Sequence, residues 1–488
     1  MTRALALLFG AVGLGTLMLT VAARVACPWP LEWMEGATLQ HALRLLTGQP
    51  LYPAPNAEFV PYLYPPLAYL PMALSTAALG PSLVAARVPS LLAFAGVLLL
   101  VARASIRDGQ DRLTGWLAAG MFAAGYGYTG AFFDLARVDA LFVLLAVAGA
   151  ERLQGERVGW ALALLAASAF AKQHGVWFLL AASAWLLAAD ARRHRMPVAM
   201  AWLGAALAYA ALCLATDGWF HRYVFTLPSS HPLQARYLAS FVFVDVLVYL
   251  PVLTVGAVLA LRREHAWRGP LTPLLAAGLV AGALGRAHPG GHDNVRLPAF
   301  AMLVLVAVPP LARAMRSGTT PRIRMLATGA LALQLAMLWQ PPYAHRPPVR
   351  TEAAFGELSR ALTDCADGGA IATLDYALPG MAPIVHTMAL SDLMLGSDAS
   401  LARLGTDALI ESLRGPDAPR ALAVGQRFPA LDRVLRTHYR ECARVRAPAL
   451  ATGHAPGLRA EGRLWQVVYA REPTRDLQRA RISRARLF

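Results

Sequence analysis

Apolar residues run along this chain in long blocks, at about 4–23, 82–102, 113–132, 136–152, 158–171, 175–190, 197–216, 238–261, 270–285, 297–312 and 325–340. Each is close to the ~20 residues a helix needs to cross a bilayer. The pattern predicts a polytopic α-helical membrane protein with about 11 transmembrane helices. The first block follows Met1-Thr2-Arg3 and runs toward Ala26-Cys27-Pro28-Trp29-Pro30, a poor cleavage site, so it is expected to remain as an anchor. A further apolar stretch, Pro66 to Gly80, is short and is expected to be re-entrant or to lie in the interface.

Beyond Gln340 the pattern changes. Pro341-Pro342-Tyr343 and Arg346-Pro347-Pro348 form a stiff linker, and the rest has the composition of a water-soluble domain. Glu352 to Cys365 reads as a helix; Ala370 to Leu374, Ala421 to Val424 and Leu464 to Tyr469 read as strands separated by helical patterns. The expected organisation is a transmembrane domain over 1–340, with a first outer loop at 24–81, and a small extracytoplasmic α/β domain over 341–488. Cys365 and Cys442 either pair in an oxidising compartment or remain free thiols, and Cys27 and Cys213 have no metal-ligand spacing.

Composition agrees with the blocks: of 488 residues, 57% are hydrophobic and only 15% charged. The net charge of +16 comes without an aromatic-basic patch, so no nucleic-acid partner is expected. The arginines sit between apolar blocks. If Pro66 to Gly80 does not cross, the groups Arg103/Arg107/Arg112, Arg152/Arg157, Arg192/Arg193/Arg195, Arg262/Arg263/Arg268 and Arg313/Arg316/Arg322/Arg324 all share the side of Arg3, the positive-inside pattern. That predicts a bacterial inner-membrane protein with a cytoplasmic N-terminus. The Arg-rich tail from Arg475 to Arg486 is either solvated or held against anionic lipid.

The outer face then carries a different chemistry: Glu32 and Glu35, Asp134, Arg137 and Asp139, Lys172-Gln173-His174, and a loop from Arg286 to Arg296. Acids, amides and histidines gathered on one side of a membrane read as a site.

Several of these segments resemble the GT-C membrane glycosyltransferases, near the protein mannosyltransferase and aminoarabinose transferase group. Glu35-Gly36, Ala42 to Tyr52 and Tyr64-Pro65-Pro66-Leu67 resemble that family's first outer loop, and Arg87 in Ala85 to Ser90 resembles the arginine opening its next span. Ala136-Arg137-Val138-Asp139-Ala140-Leu141 is similar to its second acidic motif, and Ala171-Lys172-Gln173-His174-Gly175 to its lysine-containing turn. The similarity covers roughly residues 1–320. It implies a GT-C-like fold and transfer of a sugar from a polyprenyl-phosphate donor to a lipid, glycan or protein acceptor at the outer face, among membrane lipids. Many relatives carry adjacent acids in the first loop, whereas Met34 precedes Glu35 here.

Such a donor already has a good leaving group, so transfer needs a base and a phosphate cradle. Glu35 is the expected base, opening a surface helix with Leu39, Leu43 and Leu46 on its apolar face and Gln40, His41 and Arg44 on its polar face; the plainer alternative is an acid favouring a helix N-terminus. Asp139 either shares Mg²⁺ or Mn²⁺ with Glu35, orients the acceptor, pairs with Arg137 or caps a helix. Lys172, the only lysine among 45 basic residues, is expected to meet the departing phosphate, or else to snorkel to headgroups. Gln173, His174, Arg137 and Asp134 are candidates for substrate contacts. So are His292, Asp293, Asn294 and Arg296, whose loop contains Pro289-Gly290-Gly291. Zinc on His288, His292 and Asp293 is disfavoured because no helix joins the histidines. Tyr64, with Trp33, Tyr52 and Tyr62, either stacks on sugar or belongs to an aromatic belt. The alternatives from other classes are a transporter or flippase of lipid-linked glycans, which predicts charges buried mid-span, and a catalytically dead relative acting as a binding or assembly subunit.

Overall fold

The computed structural model describes residues 2–109, 111–262, 269–316, 318–347, 349–425, 428–447 and 465–472. The Arg475 to Arg486 tail, Arg263 and Arg268 lie outside them. The described residues form two compact units, one from Met1–Leu51 and Leu63–Pro347, the other from Tyr52–Tyr62, Pro348–Leu450 and the strand Trp465–Arg471. A piece of the first outer loop thus belongs with the second unit: the Val385 amide donates to the Ala57 carbonyl at 2.9 Å.

The first unit is helical: α1 (Thr2–Ala22), α2 (Glu35–Leu46), α3 (Tyr69–Leu79), α4 (Leu83–Gly109), α5 (Arg112–Ala124), α6 (Asp139–Gln154), α7 (Val158–Ala171) and α8 (Gly175–Ala215), then Ala235–Val248, Pro251–Leu261, Leu271–Ala287, Leu297–Ala314 and Pro321–Leu338. Every apolar block contains helix, yet eleven crossings are not found. Among the described residues four helices are long and apolar enough to cross, Arg3–Ala22, Leu83–Gly109, Gly175–Ala215 and Asp293–Ala314, or five if Ala235–Val248 and Pro251–Leu261, bent by 88°, form one span.

The shortfall has local causes. α5 stops at Ala124, ahead of the expected 132, because Gly125, Gly127 and Gly130 open a loop. Gly130 has φ +76°, and a Cβ there would stand 2.9 Å from the Asp293 Cβ, so glycine is required both for conformation and for space. α7 and Leu271–Ala287 have 14 and 17 residues, roughly 21–26 Å at 1.5 Å per residue, against about 30 Å of hydrocarbon. The blocks 175–190 and 197–216 run together in α8, broken only where Asp190 is extended (φ −158°, ψ 92°).

Leu297–Ala314 is buried along almost its whole length and forms the bundle's centre. Phe300 stacks on Phe122 at 5.5 Å, and Phe122 on Phe133 at 5.3 Å. One end of the bundle is fastened by ion pairs: Glu151 in α6 meets Arg107 at 3.1 Å and Arg103 at 3.5 Å, and Asp108 meets Arg313 at 3.1 Å. Arg3 lies at this end. α1, α4 and α6 then lead to the other end, where Arg24, Arg87 and Asp139 stand.

The second unit holds a four-stranded sheet in the order β1-β2-β4-β3, formed by Ile371–Thr373 (β1), Ala421–Val424 (β2), Tyr439–Arg446 (β3) and Trp465–Arg471 (β4). β1 and β2 are parallel; β4 runs antiparallel to both its neighbours. The helix expected at Glu352 to Cys365 spans Val349–Ala366. β3 is missed by the sequence pattern because its exposed edge carries Arg440, Glu441, Arg444 and Arg446 in place of apolar alternation. Cys365 and Cys442 are disulfide-bonded; Cys27 and Cys213 are not in a disulfide.

Candidate active site

The site is built where the 25–35 loop, the 125–138 loop and the 172–174 turn come together. α2 packs Leu39 and Leu43 on Leu83 and Ala86 of α4 and on Ala136 of the second loop. That contact sets Glu35 beside Arg87. Arg87 Nε donates to Oε1 at 2.8 Å and NH2 to Oε2 at 2.8 Å. The Ala136 amide donates to Oε1 at 2.9 Å and the Leu31 amide to Oε2 at 2.7 Å. Arg87 also donates to the Cys27 and Trp29 carbonyls. Burial alone would raise the Glu35 pKa, but Arg87 and the amides hold it below the ordinary carboxylate value. Glu35 therefore joins two loops, α2 and α4, and the base role expected of it does not fit: both oxygens are filled, and protonation would break a fully buried pair.

His41, expected on a polar face, is buried; it bonds the Ala37 carbonyl at 2.6 Å and stacks on Tyr69 at 4.7 Å. Asp134 is likewise a fastener, paired with Arg24 at 3.0 Å and accepting from the Tyr126 hydroxyl at 2.9 Å.

The remaining expected residues assemble into a chain of contacts. Glu32 Oε2 accepts from Arg137 NH1 at 3.2 Å and the Met34 amide at 3.1 Å, and among the described residues its hydrogen bonds fall on that oxygen alone. Arg137 NH2 donates to the Tyr64 hydroxyl at 3.2 Å. Over the Tyr64 ring, each at 5.8 Å, stand the Arg137 guanidinium and the Lys172 ammonium. Lys172 Nζ reaches Asp139 Oδ1 at 2.6 Å, and Asn294 Nδ2 reaches the same oxygen at 2.9 Å. Asp139 Oδ2 is buried with no hydrogen-bond partner among the described residues. Burial pushes Glu32 up to about 7 against the pull of Arg137, so this carboxyl exchanges its proton near neutrality.

Gln173 holds the Leu63 carbonyl at 2.9 Å, and His174 is half-buried, its pKa lowered to about 3 by desolvation and by Lys172, which keeps it neutral. Tyr62 belongs to the second unit, edge-on to His386.

Asp293 and Arg296 join a different group. Arg286 meets Asp245 at 2.8 Å and Asp293 at 2.9 Å; Arg296 meets the same two aspartates at 2.8 and 2.9 Å. Arg296 also donates to the Tyr128 carbonyl at 2.6 Å, and His292 packs beside Phe132. Arg24 and Asp245 were outside the expected set, and Arg87 and Arg286, though noted in the sequence, were given no contact role. A usable signal existed for each, since a lone charge beside or inside an apolar block must find a partner.

Glu35 and Asp139 do not fit a shared Mg²⁺ or Mn²⁺. Glu35's oxygens face a guanidinium and amides, Asp139 Oδ1 faces an ammonium, and among the described residues no three His, Cys, Asp or Glu side chains gather as ligands.

In fold, the chain is similar to solved GT-C membrane glycosyltransferases. In particular, the chain is similar to ArnT from Cupriavidus metallidurans bound to undecaprenyl phosphate, at 13% identity and TM-score 0.55, covering 95% of this chain and 97% of that one. ArnT's apo state gives a TM-score of 0.53 over the same coverage. The oligosaccharyltransferase of Archaeoglobus fulgidus gives 0.51 at 11% identity, covering 85% of this chain and 69% of that one. No model of a protein family and no curated protein matches the sequence.

Proposed function

We propose that this chain is an integral membrane glycosyltransferase that moves a sugar from a polyprenyl-phosphate donor to an acceptor at the outer face of the bacterial inner membrane. The observation that carries the reading is the chain Glu32–Arg137–Tyr64–Lys172–Asp139–Asn294 at one end of a GT-C fold. Arg137 and Lys172 supply two cations 5.8 Å from one aromatic ring. A phosphate drawn to them would have its developing charge stabilised as the anomeric C–O bond breaks. The ring face of Tyr64 suits a sugar.

Glu32 replaces Glu35 as the proton acceptor. Its pKa of about 7 matches a base working near neutral pH. The acceptor's hydroxyl attacks the anomeric carbon from the face opposite the phosphate, its proton passes to Glu32, and the configuration inverts. Asp139 fixes Lys172, and Asn294 fixes Asp139.

The helical ends support the outer placement, since Glu151, Asp108 and their arginines occupy the end away from Asp139. The Cys365–Cys442 disulfide supports an extracytoplasmic second unit. In this reading the apolar helices together cross about eleven times. Transport is favoured only by Asp245, buried in an apolar stretch, yet two arginines neutralise it.

Purified protein incubated with labelled polyprenyl-phosphate sugars and lipid, glycan or protein acceptors tests the proposal. Transfer lost in Lys172→Ala and Glu32→Gln supports it. Movement of lipid-linked glycan across vesicles without transfer would replace it with the transporter.

A further inference from the structure

The other end of the bundle carries a cleft of about 800 Å³ between the starts of α1 and α5 and the end of Leu297–Ala314. Its lining includes Arg3, Arg112 and Arg316, with a single acid, Asp111. Arg316 is committed, to Asp111 at 3.7 Å and to the Gly109 carbonyl. Arg3 and Arg112 are exposed and make no ion pair or side-chain hydrogen bond among the described residues.

The apolar part of the lining is as telling. Leu7 is 48% and Trp116 39% exposed. Their positions are fixed, because Trp116 Nε1 donates to the Leu7 carbonyl at 2.9 Å. α1 and α5 also meet backbone to backbone: a Cβ on Gly13 would stand 2.0 Å from the Gly120 carbonyl oxygen. These contacts fasten α1 to α5 beside the cleft.

We propose that this cleft binds the headgroup of an anionic phospholipid, with the phosphate on Arg3 and Arg112 and the upper acyl chain along Leu7 and Trp116. Basic pockets between helix ends at a membrane surface select acidic headgroups, and the apolar wall favours a lipid over a free anion. The site lies at the end opposite Glu32 and Lys172 and does not depend on the transferase reading.

The test is native mass spectrometry of the full chain in detergent, titrated with phosphatidylglycerol, phosphatidylcholine or inorganic phosphate. Wild type should retain phosphatidylglycerol over phosphatidylcholine. Arg3→Gln/Arg112→Gln should weaken retention roughly thirtyfold, about fivefold per basic side chain, while Arg3→Lys/Arg112→Lys should keep most of it. Equal retention by wild type and the glutamine variant overturns the proposal, as does equal retention of the two lipids. Displacement of phosphatidylglycerol by millimolar inorganic phosphate would overturn the lipid in favour of a free-phosphate site. Sugar transfer by the glutamine variant is expected to continue, which separates this outcome from failure of the catalytic reading.

Discussion

Arg87 and Glu35 hold each other at two points, Nε to Oε1 and NH2 to Oε2, both at 2.8 Å and both side chains wholly buried. The pair ties the start of α2 to α4 and, through the Leu31 and Ala136 amides and the Cys27 and Trp29 carbonyls, to both loops that carry the site. Its consequence is indirect but large. Glu32 and Arg137 can face each other only while the segments on which they stand are held in register.

Removing one member of this pair leaves a buried charge without its counterpart, at a cost of roughly 3–5 kcal/mol. Glu35→Gln should therefore lower the unfolding temperature in detergent and reduce the yield of folded protein. The double variant Glu35→Gln/Arg87→Gln should lose less than the two single losses combined. A Glu35→Gln protein that unfolds with wild-type stability, and has lost only kcat, would return the base role to Glu35.

Glu32→Gln should act in the opposite way. Stability should fall less than in Glu35→Gln, because Glu32 meets Arg137 through one oxygen only, whereas transfer drops roughly 10²- to 10⁴-fold, the usual contribution of a general base. Glu32 has its pKa raised to about 7, and only its ionised form accepts a proton. Wild-type kcat/KM should therefore be full above that pH and fall as pH drops through it. The residual activity of Glu32→Gln should be flat across the same range, and a wild-type profile that stays level from pH 8 to about 5 would exclude the assignment.

The helical blocks and the neighbourhood of Tyr64, Arg137, Asp139 and Lys172 were legible because membrane burial leaves a strong linear trace. What was hidden is which oxygen each charge would meet. Glu32 and Glu35 are three residues apart with similar surroundings in sequence, yet Arg87, 52 positions further on, takes both oxygens of one, while Arg137 takes a single oxygen of the other. Asp245 was hidden inside an apolar stretch whose partners, Arg286 and Arg296, come from later in the chain. Eleven long apolar helices are not seen for a simpler reason: hydropathy does not register the glycines that end α5 at Ala124 or the bend between Val248 and Pro251.

Lys172 is placed to hold an anion only if Asp139 does not satisfy it completely. Asp139 Oδ1 receives both Lys172 and Asn294, at 2.6 and 2.9 Å. Lys172→Ala should raise the donor KM more than it lowers kcat if the ammonium binds the phosphate in the ground state, and lower kcat if it acts on the developing charge. Asn294→Ala, which removes no charge, should reduce activity by a smaller factor. Lys172→Arg should recover part of the loss; indistinguishable kinetics for wild type and Lys172→Ala would leave the phosphate without its proposed partner.

The second unit offers a test that is independent of activity. Its disulfide joins residues 77 positions apart, across the Val349–Ala366 helix and β3, and closing a loop of that length contributes about 4 kcal/mol by chain entropy. Reduction should therefore loosen the sheet, seen as faster proteolysis near β3, while the helical unit keeps its circular dichroism. Under denaturing conditions without reductant, maleimide should label Cys27 and Cys213 alone, and all four cysteines only after reduction. Because such a bond persists only in an oxidising compartment, a membrane-impermeant reductant applied to spheroplasts should expose Cys365 and Cys442 to an impermeant maleimide. Labelling of both without any reductant would contradict the pairing, and labelling only after the membrane is opened would put this unit on the cytoplasmic side.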